Sequence, residues 1–453
     1  MPKDPRALTS DGAVTELLPE LTPDPAQFTA DPHTRYAQLR AEHPVRRVRL
    51  PHGAAAWLVT GGDEVRTALT DSRLRNDITH SGTWQADGGF AIGRNMLQVD
   101  PPDHTRLRRL VAGTFTHRRI QAMRPRVQRI ADDLLDRVVP LGSADLVEAF
   151  SFPLPVTVIC ELLGVPEADR EAFRAWSAHM VAATDPQAAT AAGQKMTEYL
   201  AGLIEDRRHA SASAPDGNRN GPLSARGSHR PIDGSESGEG GEGGEGGEGG
   251  EGGEGGHDVL TALVRARDEE HGALSADELL GMAFLLLVAG HETTANLISS
   301  AVFLLLRHPD QLAALRADPS LMTGAIEETL RYEPPALATA YRYAAERLTL
   351  GGVNIPQGDP LVLSVAAANR DPAHFTDPDR FDIRRDPATT AAHLSFGYGI
   401  HHCLGAPLAR LEAAIALHTL LRRCPDLRLD TEAGHPAWRP SLLRGLDRLS
   451  VRW

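Results

Sequence analysis

Cysteine is scarce in this chain. Its 453 residues include only Cys160, Cys403 and Cys424, an odd and scattered set that builds no disulfide framework and suits a reducing compartment. Positive charge is also short. A formal net charge of -13 argues against a nonspecific nucleic-acid binder. Long apolar runs are missing: no stretch reaches the length of a membrane span, and the longest candidate, 279–290, is twelve residues. The opening Met-Pro-Lys-Asp-Pro-Arg has no apolar h-region, so neither a signal peptide nor a membrane anchor is expected, and the expected location is the cytoplasm. Flavin and dinucleotide fingerprints are absent too, because the glycine-rich run 238–256 repeats Glu-Gly-Gly without Rossmann spacing or a following Gly-Lys-Ser/Thr. A hydrophobic content of 41% and a mean hydropathy of -0.27 are ordinary for a water-soluble chain.

What is present centres on Phe396-Gly-Tyr-Gly-Ile-His-His-Cys403-Leu-Gly405. Gly397, Gly399 and Gly405 permit positive φ or close backbone approach around one thiol. The following residues, 406–417, have apolar side chains at helical spacing with Pro407 in the first turn. Cys403 therefore lies where a turn runs into a helix, a setting that favours thiolate. A lone cysteine in such a loop also reads as a small buried hydrophobe. A structural zinc site needs four ligands at wider spacings than His401, His402 and Cys403 offer. A thiolate holding a planar metal cofactor by one axial bond needs a single cysteine.

Other segments carry chemistry of their own. After Pro101-Pro102, Asp103 is placed to cap a helix on which His104 and Arg108 fall at i,i+4, suited either to a pair of carboxylates or to a solvated face. Ser275-Ala-Asp-Glu278 is a capping box. The helix it opens, running to about Leu306, is apolar nearly all round and so is expected at the centre of the fold. Ala289 and Gly290 leave room beside it, while Glu292 and Thr293 put an acid and a hydroxyl into an apolar element. A helical threonine commonly bonds the carbonyl four back and does nothing more. A carboxylate there needs solvent or a partner. Glu328 and Arg331 stand at i,i+3 on a later helix. The segment 211–257, with nine acidic and three basic residues, buries almost no apolar area and is expected to be a disordered insertion inside one domain.

Short strands are expected at 45–50 and 55–60, in a hairpin over 348–355, and near 427–429 and 446–453, with helices over 32–43, 61–70, 118–138 and 154–210. The expected fold is mainly α with minor β, a single domain over 1–453.

The pattern Phe396-Gly397-x-Gly399-x-His401-x-Cys403-x-Gly405 resembles the haem-ligand loop of the cytochrome P450 superfamily, and the other segments follow in the matching order. The resemblance runs from about Pro23 to Trp453, interrupted by the insertion, and is closest to soluble bacterial enzymes of natural-product metabolism. It implies haem b with Cys403 as axial ligand, Phe396 beside the cysteine-side face, and His104, Arg108, Arg342 and His401 at the propionates. It implies Thr293 and Glu292 in O2 activation and proton delivery, and Glu328, Arg331 and Arg380 as a structural ion-pair set. Arg106 and Arg109 would face a redox partner, and 73–93 with 167–208 would cover the cavity. Leu286, Val288, Ala289, Leu337 and Ala338 would line an apolar pocket. The implied activity is a monooxygenase driven by NAD(P)H through ferredoxin reductase and ferredoxin, acting as a monomer on an apolar macrolide or other polyketide. Other uses of the same haem are peroxide-driven oxidation, isomerisation or phenol coupling, or action on a terpenoid, steroid or fatty acid; a noncatalytic haem scaffold is the remaining reading.

Overall fold

The computed structural model describes residues 6–8, 14–16, 18–84, 93–181, 186–212, 258–269, 274–441 and 443–453. The expected insertion falls almost wholly outside them, as does the middle of the expected covering loop at 85–92.

Helices dominate, as the apolar periodicity requires. The longest, Ala276–Arg307, begins at the capping box: Glu278 N-H donates to Ser275 Oγ at 3.1 Å and Ser275 N-H donates to Glu278 Oε2 at 2.8 Å. This helix is long and apolar enough to cross a membrane, yet most of its surface is inside the fold. It packs against Pro153–Leu163, Met322–Tyr332 and Ala406–Arg423, and these elements form the main core. Glu278 also accepts from Arg106 at 2.5 Å, tying Asp103–Ala112 to the start of the central helix. Arg106 therefore links two helices while its side chain stays 34% exposed.

A mixed sheet of five strands flanks the helices. With β1 Val45–Arg49, β2 Ala55–Val59, β3 Leu74–Arg75, β4 Arg342–Ala344 and β5 Pro360–Leu363, its order is β1-β2-β5-β4-β3. β2 and β5 run parallel, pairing Trp57 with Leu361 and Val59 with Leu363; the other pairs are antiparallel. The Gly351-Gly352 hairpin forms as expected, both glycines having positive φ. Strands at Ser143–Asp145 and Ala437–Trp438 carry no sequence signal of their own. They are two or three residues long and are fixed by the partners they meet.

The buried ion-pair set differs from the expected one. Glu328 and Arg331 are both fully buried and bonded at 2.7 Å, but the third member is Arg385, whose Nε lies 3.2 Å from Glu328. Arg380 turns outward to Asp382 and contributes only its carbonyl, which accepts from Arg331 and Arg385. Two arginines five residues apart on one irregular segment cannot be ranked by spacing alone.

Candidate haem-thiolate active site

The loop 396–405 is shaped to aim one sulfur. Gly397 and Gly399 have φ of 71° and 73°, the left-handed region open to glycine, and a Cβ on Gly399 would stand 3.0 Å from the Leu69 carbonyl. Cys403 N-H donates to the Phe396 carbonyl at 2.9 Å, closing the loop. The helix Ala406–Arg423 starts immediately beyond, and the backbone N-H groups of Gly405 and Ala406 act as donors toward an anionic Cys403 sulfur. Burial pushes this thiol above its ordinary value, while those donors, Arg108 and Arg410 oppose the rise. Bonding to a metal cation would displace the proton outright.

The sulfur opens onto a cavity walled in part by one stripe of the central helix: Leu285, Leu286, Ala289, Gly290, Thr293, Thr294 and Leu297. Thr293 Oγ1 donates to the Ala289 carbonyl at 3.0 Å, the ordinary bond of a helical threonine, and it does so on the cavity wall. The room beside Gly290 is partly taken by Ile159, since a Cβ there would fall 2.7 Å from Ile159 Cδ1. Ala336, Ala338 and Thr339 add wall from the extended run after Pro335.

Three expected positions lie elsewhere. Val288 and Glu292 are one residue round from the cavity stripe. Val288 packs on the core, and buried Glu292 accepts from Arg439 at 2.5 Å. Leu337 points from its extended segment into a second core with Tyr36 and Leu39. The 3.6-residue period explains the first two; in the segment 335–340 Leu337 alone is turned away from the cavity, because it is held in that second core.

The cationic candidates do come together. His104 and His401 have ring centroids 4.3 Å apart. Arg108 Nη2 donates to the His402 carbonyl at 2.7 Å, and buried Arg342 donates to the carbonyls of Ala340 and Tyr341 at 3.0 and 3.3 Å. Burial, then Arg342, His104 and Arg108, push His401 down to about 3. Burial likewise lowers Arg342 to about 10, opposed by Asp100. Phe396 lies under the Arg410 guanidinium at 4.4 Å. Arg410 in turn is held by Glu327 through bonds of 2.6 and 2.9 Å, a brace that an isolated Arg-Glu pair 83 residues apart does not announce.

A thiolate loop at a helix start, an apolar wall bearing Thr293 and a cluster of inward cations now meet in one cavity, and the cytochrome P450 family profile matches residues 187–431, more than half the chain. The chain belongs to the cytochrome P450 family. It is 48% identical over 429 residues to the cytochrome P450 monooxygenase PikC of Streptomyces venezuelae, covering 94% of this chain and 92% of that protein. To the 6-deoxyerythronolide B hydroxylase of Saccharopolyspora erythraea it is 43% identical over 450 residues, covering 96% and 98%. The tirandamycin C-bound P450 monooxygenase TamI superposes with a TM-score of 0.78 at 40% identity, over 94% of this chain and 98% of that one. This P450 is thus a haem b monooxygenase that uses O2, in a mainly α fold with some β.

The side chains fit that group. His104 Nδ1 and Nε2 and His401 Nε2 are buried with no protein hydrogen-bond partner among the described residues. Buried ring nitrogens of this kind call for hydrogen-bond partners, and a pair of carboxylates on the rim of a planar macrocycle would accept from their N-H groups.

Proposed function

We propose that this P450 hydroxylates or epoxidises a medium-to-large apolar natural product, a macrolide or other polyketide. Cys403 would hold the haem iron through its sulfur, His104, Arg108, Arg342 and His401 would hold the propionates, and Phe396 would pack beside the cysteine. Haem bound by a single thiolate supplies O2 activation. The chain does the rest. Ala289 and Gly290 keep the helix wall low, Thr293 presents a hydroxyl that can hold a proton at the cavity surface, and Glu292 supplies protons from behind the wall. Reducing equivalents come from NAD(P)H through a ferredoxin reductase and ferredoxin, with the protein a cytoplasmic monomer and its whole length one domain carrying an insertion.

The carrying observation is the cavity lining. Among its described residues the only arginines are Arg108 and Arg342, and both belong to the histidine cluster; Leu285, Leu286, Leu297, Phe115, Ile159 and Ala338 give the remainder no cationic anchor. Such a site selects by shape and leaves position on the substrate to fit. The 6-deoxyerythronolide B hydroxylase, matched over nearly its full length, supports the macrolide choice. The test is a titration of polyketides, terpenoids, steroids and fatty acids for a low-to-high spin Soret shift, followed by turnover of the binders. Coupled oxidation of a macrolide is the expected result. Coupled oxidation of a terpenoid or fatty acid with no polyketide turned over would overturn the substrate class.

Thr293→Ala is expected to retain haem and substrate binding while forming much less product per NADH oxidised, because it removes the hydroxyl from the cavity wall and leaves the fold untouched. Equal coupling in the variant and the parent would refute the role given to Thr293.

A further inference from the structure

The central helix carries a second stripe, one residue round from the cavity stripe, formed by Glu292, Asn296, Ser300 and Phe303. Their spacing of four, four and three residues keeps them on one face. The C-terminal hairpin, Ala437–Trp438 paired with Leu446–Arg448, lies along this stripe. Trp438 meets Phe303 edge-on with centroids 5.9 Å apart. Arg439 Nη2 then donates to Glu292 Oε1 at 2.5 Å and to Asn296 Oδ1 at 2.9 Å. Gly445 makes this approach possible, since a Cβ there would fall 2.1 Å from Asn296 Oδ1 and 2.6 Å from Arg439 Nη2.

The cluster is incompletely satisfied in a specific way. Among the described residues, Glu292 Oε2, Asn296 Nδ2 and Arg439 Nε are each buried without a hydrogen-bond partner, and so is Ser300 Oγ one turn further along. One acceptor and two donors thus stand on three residues already bonded to one another. Leaving buried, charged groups unpaired is costly, and a small polar site offering two to four partners is the setting in which proteins hold internal water. The Glu292 side chain is fully buried, whereas that of Arg439 is 15% exposed, so the arginine spans from the helix to the protein surface.

We propose that Arg439 is the positioning residue of Glu292, and that Glu292 Oε2, Asn296 Nδ2 and Arg439 Nε share a bound water joining Glu292 to solvent beside the C-terminal hairpin. This rests on the reading of Glu292 as a proton supplier. It adds a route that enters behind the helix, separate from the substrate cavity. Arg439 fixes one carboxylate oxygen, leaving the other to exchange protons with the water. Each proton Glu292 passes on is replaced through that water from solvent, so the side compartment ends a cycle as it began.

Two measurements test the route. A crystal structure of the haem-loaded enzyme is expected to show an ordered water within hydrogen-bond distance of the three atoms; finding the same atoms satisfied by protein groups, with no water, would overturn the proposal. In turnover, Arg439→Gln is expected to lower product per NADH by roughly an order of magnitude. Haem content, the reduced carbon monoxide spectrum and the midpoint of the substrate-induced Soret shift should stay at parent values. Arg439→Lys should recover part of the loss, and Arg439→Gln added to Glu292→Gln should cost nothing more. Parent-like coupling in Arg439→Gln beside an uncoupled Glu292→Gln would defeat the positioning role and leave the Glu292 reading standing. Parent-like coupling in Glu292→Gln would defeat that reading and the route with it.

Discussion

Cys403→Ser is expected to give a protein without the thiolate-type reduced carbon monoxide spectrum and with product formation no higher than a control lacking enzyme. A neutral hydroxyl supplies neither the charge nor the soft sulfur donor that a single axial bond to iron requires. The loop itself should survive, because its closing bond runs from the Cys403 backbone N-H to the Phe396 carbonyl and serine retains it. The N-H groups of Gly405 and Ala406 that favour the anionic sulfur would then face a group that does not ionise. Haem content, the carbon monoxide difference spectrum and turnover measured on one preparation check this. A thiolate spectrum in the purified variant would remove Cys403 as the ligand.

The second large effect is expected in the ion-pair set beneath that loop. Glu328 accepts from Arg331 Nε at 2.7 Å and Nη2 at 2.8 Å, from the Asp382 N-H at 2.9 Å, and from Arg385. Removing one partner of a buried pair strands the other's charge, so Arg331→Ala should cost about 3–5 kcal/mol. Arg385, with a side chain 11% exposed, should cost less on truncation but still destabilise clearly. Arg380→Ala should stay within about 0.5 kcal/mol, because a surface side chain is lost and the carbonyl that accepts from Arg331 and Arg385 remains. Denaturant unfolding followed at the Soret band ranks the three. Equal losses for Arg380→Ala and Arg385→Ala would contradict the arrangement.

Much of this fold was legible because its signals are local. The capping box at Ser275, the apolar run behind it, the hairpin glycines and the glycine pattern before Cys403 each encode a geometry within a few residues. What was not legible depends on partners far away in sequence. The family resemblance offered Leu286, Val288 and Ala289 alike as cavity residues, and only the direction of the neighbouring helices shows that Val288 is turned onto the core. Glu292 was visible as a buried acid in need of a partner. That the partner is Arg439, 147 residues on, could not be read from either segment. The exchange of Arg385 for Arg380 has the same origin: the irregular stretch 377–386 has no periodicity, so the side chain that turns inward is chosen by contacts with Glu328.

The five-stranded sheet also sets an order of assembly. β2, near residue 58, pairs in parallel with β5, near 362, so one edge of β2 stays open until some 300 more residues have been made. At ribosomal rates of about 5–20 residues per second that interval is roughly 15–60 s. β5 also pairs with β4, whose Arg342 is one of the inward cations, and Cys403 emerges later still. Cofactor capture therefore belongs to the end of biosynthesis. Until then the amino-terminal hairpin carries an unpaired strand edge, and it is there that a nascent chain of this protein is most open to chaperones and to aggregation.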